Sequence, residues 1–243
     1  MPRTSTAWKQ LSERILTVAK IREVDRVAVE RYRMNSLVLM ENAALGCVGW
    51  LEDRFPEGGN ALILCGRGNN AGDGLAIARH LRVLGWTCRV AVLGPAEKMS
   101  ADARSNLEIL IAGGSRDLLE WNEVRPAASQ YSILAPWISS ATVIIDAMLG
   151  TGASGEPKAP LGDWIDLANQ TSAQRIAIDI PTGWDAATGE QSANTFRAAA
   201  TLTFVARKPA MGLPTGAKFL GEIVVLPIGI PEELIEELLV ATA

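Results

Sequence analysis

The chain is short of the side chains on which many hydrolases, redox proteins and membrane proteins depend. It carries one histidine, His80, so a Ser-His-Asp or Cys-His site has no constellation to draw on, and His80 reads as a surface or packing residue. Its three cysteines, Cys47, Cys65 and Cys88, are odd in number and form no C-x-x-C pair, which suggests neither a disulfide framework nor a zinc site. Cys65 ends an apolar run and Cys88 stands beside another, so both are expected to be buried and inert. No apolar stretch approaches the length that spans a bilayer, and the segment around Trp8, Lys9, Glu13 and Arg14 has no continuous hydrophobic core of the leader type; no membrane attachment and a cytoplasmic location are the expectations. Positive charge is not in surplus either. With 23 Lys and Arg against 27 Asp and Glu, the net charge of −4 disfavours a general nucleic-acid surface, which needs clustered cations that release counterions, although a local basic pocket stays open. Repeats of fixed period and low-complexity segments are also missing.

What is present suits one globular domain spanning residues 1–243. Hydrophobic residues make up 48% of the chain and charged residues 21%, enough apolar surface for a full core. Val18, Ile21, Val24, Ala28 and Val29 recur at helical spacing between Thr17 and Arg33, with Thr17 as N-cap, and a second helix runs from Asn35 or Ser36 toward Phe55. Short apolar runs at Ala61–Cys65, Arg89–Leu93, Thr142–Ile145, Arg175–Ile178, Leu202–Val205 and Ile223–Leu226 read as strands covered on both faces. Helical stretches at Gly74–Leu84, Ser100–Ala112 and Leu161–Ala168 lie between several of them. This alternation predicts an α/β fold with a mostly parallel sheet, right-handed crossovers and helices on both faces. Residues 115–140, interrupted by Pro126 and Pro136, carry no clear pattern.

Ligands of open parallel sheets bind beyond the carboxyl ends of the strands, and three segments there carry unusual residues. Gly66-Arg67-Gly68-Asn69-Asn70-Ala71-Gly72-Asp73-Gly74 follows the first strand and opens a helix, as a phosphate cradle would, with glycines free to take positive φ. It also meets the loose G-x-G-x-x-A dinucleotide pattern, but Leu93-Gly94-Pro95 supplies no acidic residue after the second strand. A tight turn with Asp73 as N-cap is the plainer reading. Asp146-Ala147-Met148-Leu149-Gly150-Thr151-Gly152-Ala153-Ser154-Gly155-Glu156 sets a carboxylate beside backbone donors and hydroxyls, able to hold a cation and an anion together, or it is a flexible loop. In Asp179-Ile180-Pro181-Thr182-Gly183, Pro181 stiffens the backbone around Asp179, a candidate general acid or base or a simple turn cap. Lys208 could contact a phosphate or lie solvated on the surface. Seven tryptophans share no spacing and read as packing residues, with Trp184 alone near these segments.

Those segments, in this order and together with Leu39-Met40-Glu41-Asn42, resemble the NAD(P)H-hydrate epimerase family, also called the YjeF N-terminal domain family. The likeness extends from about Ile15 to about Ile230, with Thr201-Leu202-Thr203-Phe204 and Lys208-Pro209 resembling its closing strand and loop. It implies a Rossmann-like three-layer α/β/α domain, a homodimer, and one K+ (potassium) ion per subunit held by Asn70, Asp146 and Thr182. The substrate implied is hydrated NADH or NADPH (NADHX, NADPHX), lined by Asn69, Asn70, Ala71, Gly72, Asp73, Gly150, Thr151, Gly152, Ala153, Ser154, Gly155, Glu156 and Asp179. A separate NAD(P)H-hydrate dehydratase would act in the same pathway. Four positions depart from the family: Ala71 and Ala210 replace glycine, Thr182 replaces serine with its oxygen kept, and Ala199 replaces aspartate. Ala71 would be costly only at positive φ.

The activity implied is epimerisation at C6, a hemiaminal carbon beside ring nitrogen N1. A protonated Asp179 would help the hydroxyl leave as water, N1 would form an iminium, and water would add to the other face. Two other classes compete. An NAD(P)-dependent oxidoreductase would show hydride transfer without epimerisation, and a non-catalytic nucleotide-binding or scaffold module would keep the fold without turnover.

Overall fold

The structure, a computed structural model, describes residues 13–122, 124–153 and 155–240; the segment around Trp8 and the candidate residue Ser154 lie outside them. Among the described residues, the helices α1 (Val18–Glu30) and α2 (Ser36–Arg54) precede the sheet. The side chains of Thr17 and Asn35 accept from the backbone N–H groups of Lys20 and Leu37 and so cap them. Then β1 (Asn60–Cys65), α3 (Asn69–Val83), β2 (Thr87–Leu93), α4 (Ala101–Ala112), β3 (Leu118–Trp121), α5 (Ala127–Ser140), β4 (Val143–Ala147), α6 (Leu161–Asn169) and β5 (Gln174–Ile178) alternate, and β6 (Ala200–Phe204) follows β5 with no helix between. The short α7 (Ala217–Leu220), β7 (Glu222–Leu226) and α8 (Glu232–Val240) end the described chain.

Seven strands form one sheet in the order β3-β2-β1-β4-β5-β6-β7, and every pairing is parallel. Side chains alternate across it. Ile63, Cys65, Val90 and Ile145 pack with α2, α3 and α4 on one face, while Leu62, Leu64, Ala91 and Ile144 pack with α5 and α6 on the other, around the fully buried Trp164 and Phe196. Because both faces are covered, the strands read as continuous apolar runs rather than as alternating ones. All three cysteines are free and buried. Chain order reverses between β1 and β4, where connections leave the sheet in opposite directions and open a crevice at the strand ends.

Residues 115–140, which have no legible pattern in sequence, hold β3 and α5. Pro136 sits inside that helix with no N–H to give the carbonyl one turn back, while its own carbonyl accepts from the Ser139 and Ser140 hydroxyls. The Gly66–Gly74 segment also differs from expectation. Its helix begins at Asn69 rather than Gly74, and none of its glycines takes a positive φ. Ala71 is helical and buried, so its Cβ carries no conformational cost, and Asp73 lies within the first turns instead of capping them. Close approach explains Gly66: a Cβ there would fall 2.0 Å from the Met148 carbonyl oxygen, so only glycine lets the β1 and β4 loops meet.

Candidate active site

A cavity of about 540 Å³ opens over the ends of β1, β4, β5 and β6, with α1 and α2 on its other side. From the β4 end, Asp146 is fully buried. Its Oδ2 accepts the Thr182 backbone N–H at 2.7 Å, and its Oδ1 accepts the Thr182 hydroxyl at 2.7 Å and the Met148 N–H at 3.1 Å. The Thr182 hydroxyl oxygen in turn accepts the Leu149 N–H at 3.0 Å. Burial pushes the Asp146 carboxyl up to about 6, against the pull of the Thr182 hydrogen bonds. Asp146 and Thr182 lie beneath the cavity wall, whereas Asn70 lines the cavity, its amide oxygen and nitrogen both buried without a hydrogen-bond partner; a Cβ on Gly150, the residue after Leu149, would lie 3.3 Å from Asn70 Cβ and 3.1 Å from Asp179 Oδ2.

Asp179 follows β5 in a left-handed conformation, φ 66°. The Ile180 N–H donates to the Ile178 carbonyl across it, a three-residue γ-turn of the rarer, positive-φ kind. On the neighbouring strand Val205 repeats the arrangement, with φ 66° and an Ala206 N–H bond to the Phe204 carbonyl. Both turns carry strain that β-branched Val205 in particular would avoid elsewhere, and both residues line the cavity. The turn holds Asp179 so that its Oδ2 accepts the Thr151 N–H at 3.1 Å and its Oδ1 lies 2.6 Å from the Lys208 ammonium.

Lys208 is neither of the things its position in sequence suggests. It is 1% exposed, so it is no surface lysine, and its ammonium is spent on Asp179 and on the buried Thr203 hydroxyl rather than held out for a phosphate. This also corrects the expected protonation of Asp179. Burial pushes its carboxyl up, but the Lys208 charge and the Lys208 and Thr151 hydrogen bonds outweigh burial and leave it below the usual carboxylate range. The resting group is a carboxylate, not the protonated acid.

Two further carboxyls share the cavity and go the other way. Asp25 of α1 is raised to about 6 by burial and by the Asp179 charge, with Lys208 partly offsetting both. Asp73 of α3 is raised well above the ordinary range by burial, then by Asp179, Asp25 and Asp102. Asp25 went unremarked in the sequence although a signal is there: it stands four residues after Ile21 and four before Val29, a carboxyl inside the apolar stripe of α1.

Of the expected substrate residues, Asn69, Asn70, Asp73, Gly150, Thr151, Gly152, Ala153 and Asp179 line the main cavity. Gly155 and Glu156 line a smaller one of about 170 Å³, with Gly183 and buried Trp184, which shares Leu149, Gly150 and Ala153 with the first. Ala71 and Gly72 line neither. Gly72 faces Met40 and Ala103 instead, and that side of α3 is committed to packing. The Leu39-Met40-Glu41-Asn42 segment proves to be a brace. Leu39 and Met40 line the cavity, Glu41 accepts from Arg79 and pairs with His80 at 2.7 Å, and Asn42 donates to the Ile228 carbonyl beyond β7. His80 is thus a packing residue tied to α2.

Comparison with known proteins points the same way. Over 222 residues, covering 91% of this chain and 87% of the relative, the sequence is 37% identical to the NAD(P)H-hydrate epimerase of Rhodopirellula baltica. The bifunctional NAD(P)H-hydrate repair enzyme Nnr of Pyrobaculum aerophilum is 40% identical over 200 residues, which cover 81% of this chain and 38% of that longer protein. The crystal structure of yeast YNL200c shares the fold, with a TM-score of 0.77 over 93% of each chain at 19% identity. The family described as YjeF-related protein N-terminus matches residues 36–210, a span running from the first residue of α2 past Lys208, and the chain belongs to it.

Proposed function

We propose that this protein is an NAD(P)H-hydrate epimerase, an isomerase that interconverts the R and S epimers of hydrated NADH and NADPH at C6. Family membership supplies the reaction class. The observation that carries the chemistry is Asp179, an ionised carboxylate held by a buried lysine in the wall of a cavity large enough to take much of a dinucleotide. At C6 the substrate is a hemiaminal, so the hydroxyl leaves once protonated, the N1 lone pair forms an iminium, and a water adds to either face. Asp179 takes the proton of the adding water, and its negative charge stabilises the transient cation. The Thr151 N–H and Lys208 fix both of its oxygens, so little reorganisation is needed at the moment of reaction.

A potassium site fits the residues beside it. Asn70 carries an orphaned, buried amide oxygen, and the Asp146 carboxylate and Thr182 hydroxyl are hard donors of the kind such a cation prefers. When bound, one K+ per subunit would offset the Asp146 charge and orient the loops or the substrate phosphates. The remaining readings are a homodimer, a cytoplasmic setting and a separate dehydratase that consumes the S epimer; relatives named as bifunctional repair enzymes support the pairing of the two activities.

The test is direct. Purified protein is mixed with the R epimer, with potassium present or absent, and the epimer ratio is followed by chromatography. Approach to the R/S equilibrium well above the uncatalysed rate is expected, faster with potassium. An unchanged rate would reject the reading.

A further inference from the structure

Epimerisation needs proton transfer on both faces of C6, because the hydroxyl leaves from one and water adds to the other. Asp179 serves one face. Resting on the epimerase reading, we propose that Asp25 of α1 is the proton-transfer group for the opposite face, and that it and Asp179 exchange roles with direction.

The geometry assigns it. Ile21, Arg22, Asp25 and Val29 form the stripe of α1 that lines the cavity, so Asp25 reaches it from the helix while Asp179 reaches it from the strand ends. The backbone of one residue links the two sides. Thr151 donates its N–H to Asp179 Oδ2 and accepts from the Arg22 guanidinium at 3.0 Å through its carbonyl, and Arg22 lies one turn before Asp25. Asp25 Oδ1 is buried and accepts no hydrogen bond, unlike Asp179, whose oxygens are both engaged. The charged groups facing Asp25 are Asp179, Lys208 and Asp73, with Arg22 on its own helix. Two carboxyls in one cavity, one in contact with a buried cation and one not, are pushed in opposite directions, and such a divergence marks an acid and a base.

The protons balance. Asp25, protonated, gives its proton to the C6 hydroxyl of one epimer; the C–O bond breaks, its electron pair leaves with water, and the N1 lone pair forms the iminium. Water adds from the Asp179 side, its oxygen forming the new C–O bond as the iminium electrons return to N1, and Asp179 takes the released proton. The enzyme is left with Asp25 ionised and Asp179 protonated, the form that accepts the other epimer. Exchange with solvent restores the first form, and nothing is oxidised or reduced.

The experiment compares wild type, Asp25→Asn and Asp179→Asn in 18O-labelled water, following each pure epimer by mass spectrometry for epimerisation and for label uptake without inversion. Both variants are expected to lose epimerisation by about 10²- to 10⁴-fold. Each should still wash label into a single epimer, a different one in the two variants, because the surviving carboxyl can expel and re-add water on its own face. A residue that only supports the fold cannot produce this split. Epimerisation at the wild-type rate by Asp25→Asn would overturn the assignment, as would loss of label uptake in both epimers by a folded Asp25→Asn, or the split appearing in Asp73→Asn instead. Should Asp25→Asn fail to fold, Asp25→Glu replaces it, expected to keep epimerisation at a reduced rate; full rate or none overturns the proposal. A wild type inert toward both epimers, with or without potassium, would instead reject the epimerase reading itself.

Discussion

The Lys208 ammonium nitrogen lies 2.6 Å from Asp179 Oδ1, with the lysine 1% exposed. Among the described residues of this cavity, Asp179 is the carboxyl whose ionised form has a buried cation at contact distance. The pair joins the end of β5 to the segment after β6, two strands that are neighbours in the sheet.

Breaking this pair has a signed consequence for pH. Asp179 is lowered, so its contribution to stability is present above the ordinary carboxylate range and is lost as pH falls through the lowered value. Lys208→Met removes the cation and leaves a carboxylate uncompensated, at a cost of about 3–5 kcal/mol for a buried pair. Denaturant unfolding at neutral pH should show that loss. The acid limb of the epimerase pH profile should move to higher pH, because Asp179 then protonates more readily; an unmoved limb would mean that Lys208 does not set the charge of Asp179.

Asp179→Asn removes the proposed proton acceptor and keeps the shape. Epimerisation measured by chromatography should fall about 10²- to 10⁴-fold, with circular dichroism unchanged. Wild-type turnover by the folded variant would remove Asp179 from the chemistry.

Asp25 has the opposite sign. Its folded value is raised to about 6 from 3.8, so ionising it destabilises the fold: stability is lost as pH rises from about 4 to about 6 and the loss persists above. Asp25→Asn should therefore melt no lower than wild type at neutral pH, and higher by the equivalent of about 1–3 kcal/mol if the shift is fully expressed. The gap between the two proteins should close below pH 4, and a constant gap across the titration would show that Asp25 is not raised.

A methyl group at Gly150 tests how tightly the Asp179 carboxylate is placed. Its Cβ would lie 3.1 Å from Asp179 Oδ2 and 3.3 Å from Asn70 Cβ, so Gly150→Ala must shift one of them by a few tenths of an ångström. Activity should drop by about one order of magnitude, since misplacement of about 1 Å costs about 10²-fold, with stability nearly unchanged. A fully active Gly150→Ala would show that this contact does not constrain Asp179.

Potassium should stabilise the folded protein by mass action, raising the melting temperature with concentration. Asn70→Ala should abolish that rise, because the orphaned amide oxygen is the donor with no other partner. Thr182→Val should do the same and also cost about 1–3 kcal/mol without potassium, since Asp146 loses a buried donor. Equal potassium responses in all three proteins would move the ion elsewhere.

Much of the fold is legible in the chain. Apolar runs such as Ala61–Cys65 and Arg175–Ile178 state their burial by composition, and α1 and α2 state theirs by spacing and caps, because these signals depend on neighbours a few residues away. Residues 115–140 are not legible. The strand β3 has four residues at the sheet edge, and α5 contains a proline that local rules read as a stop. The start of α3 is misread for a related reason: Gly72 and Gly74 look like loop glycines until Met40, Ala103 and Ala147 are seen pressed against them.

By itself the sequence determined the layered parallel architecture, the family and the three strand-end segments with Asn70, Asp146, Asp179 and Thr182, since periodicity and motif order are properties of the chain alone. Tertiary structure alone decided the charge states: Lys208 and Asp25 stand 29 and 154 residues from Asp179 in the numbering, and only folding sets a cation in contact with one carboxyl and not with the other. A carboxyl's protonation depends on burial and on which charges lie within a few ångströms, and linear order does not encode either.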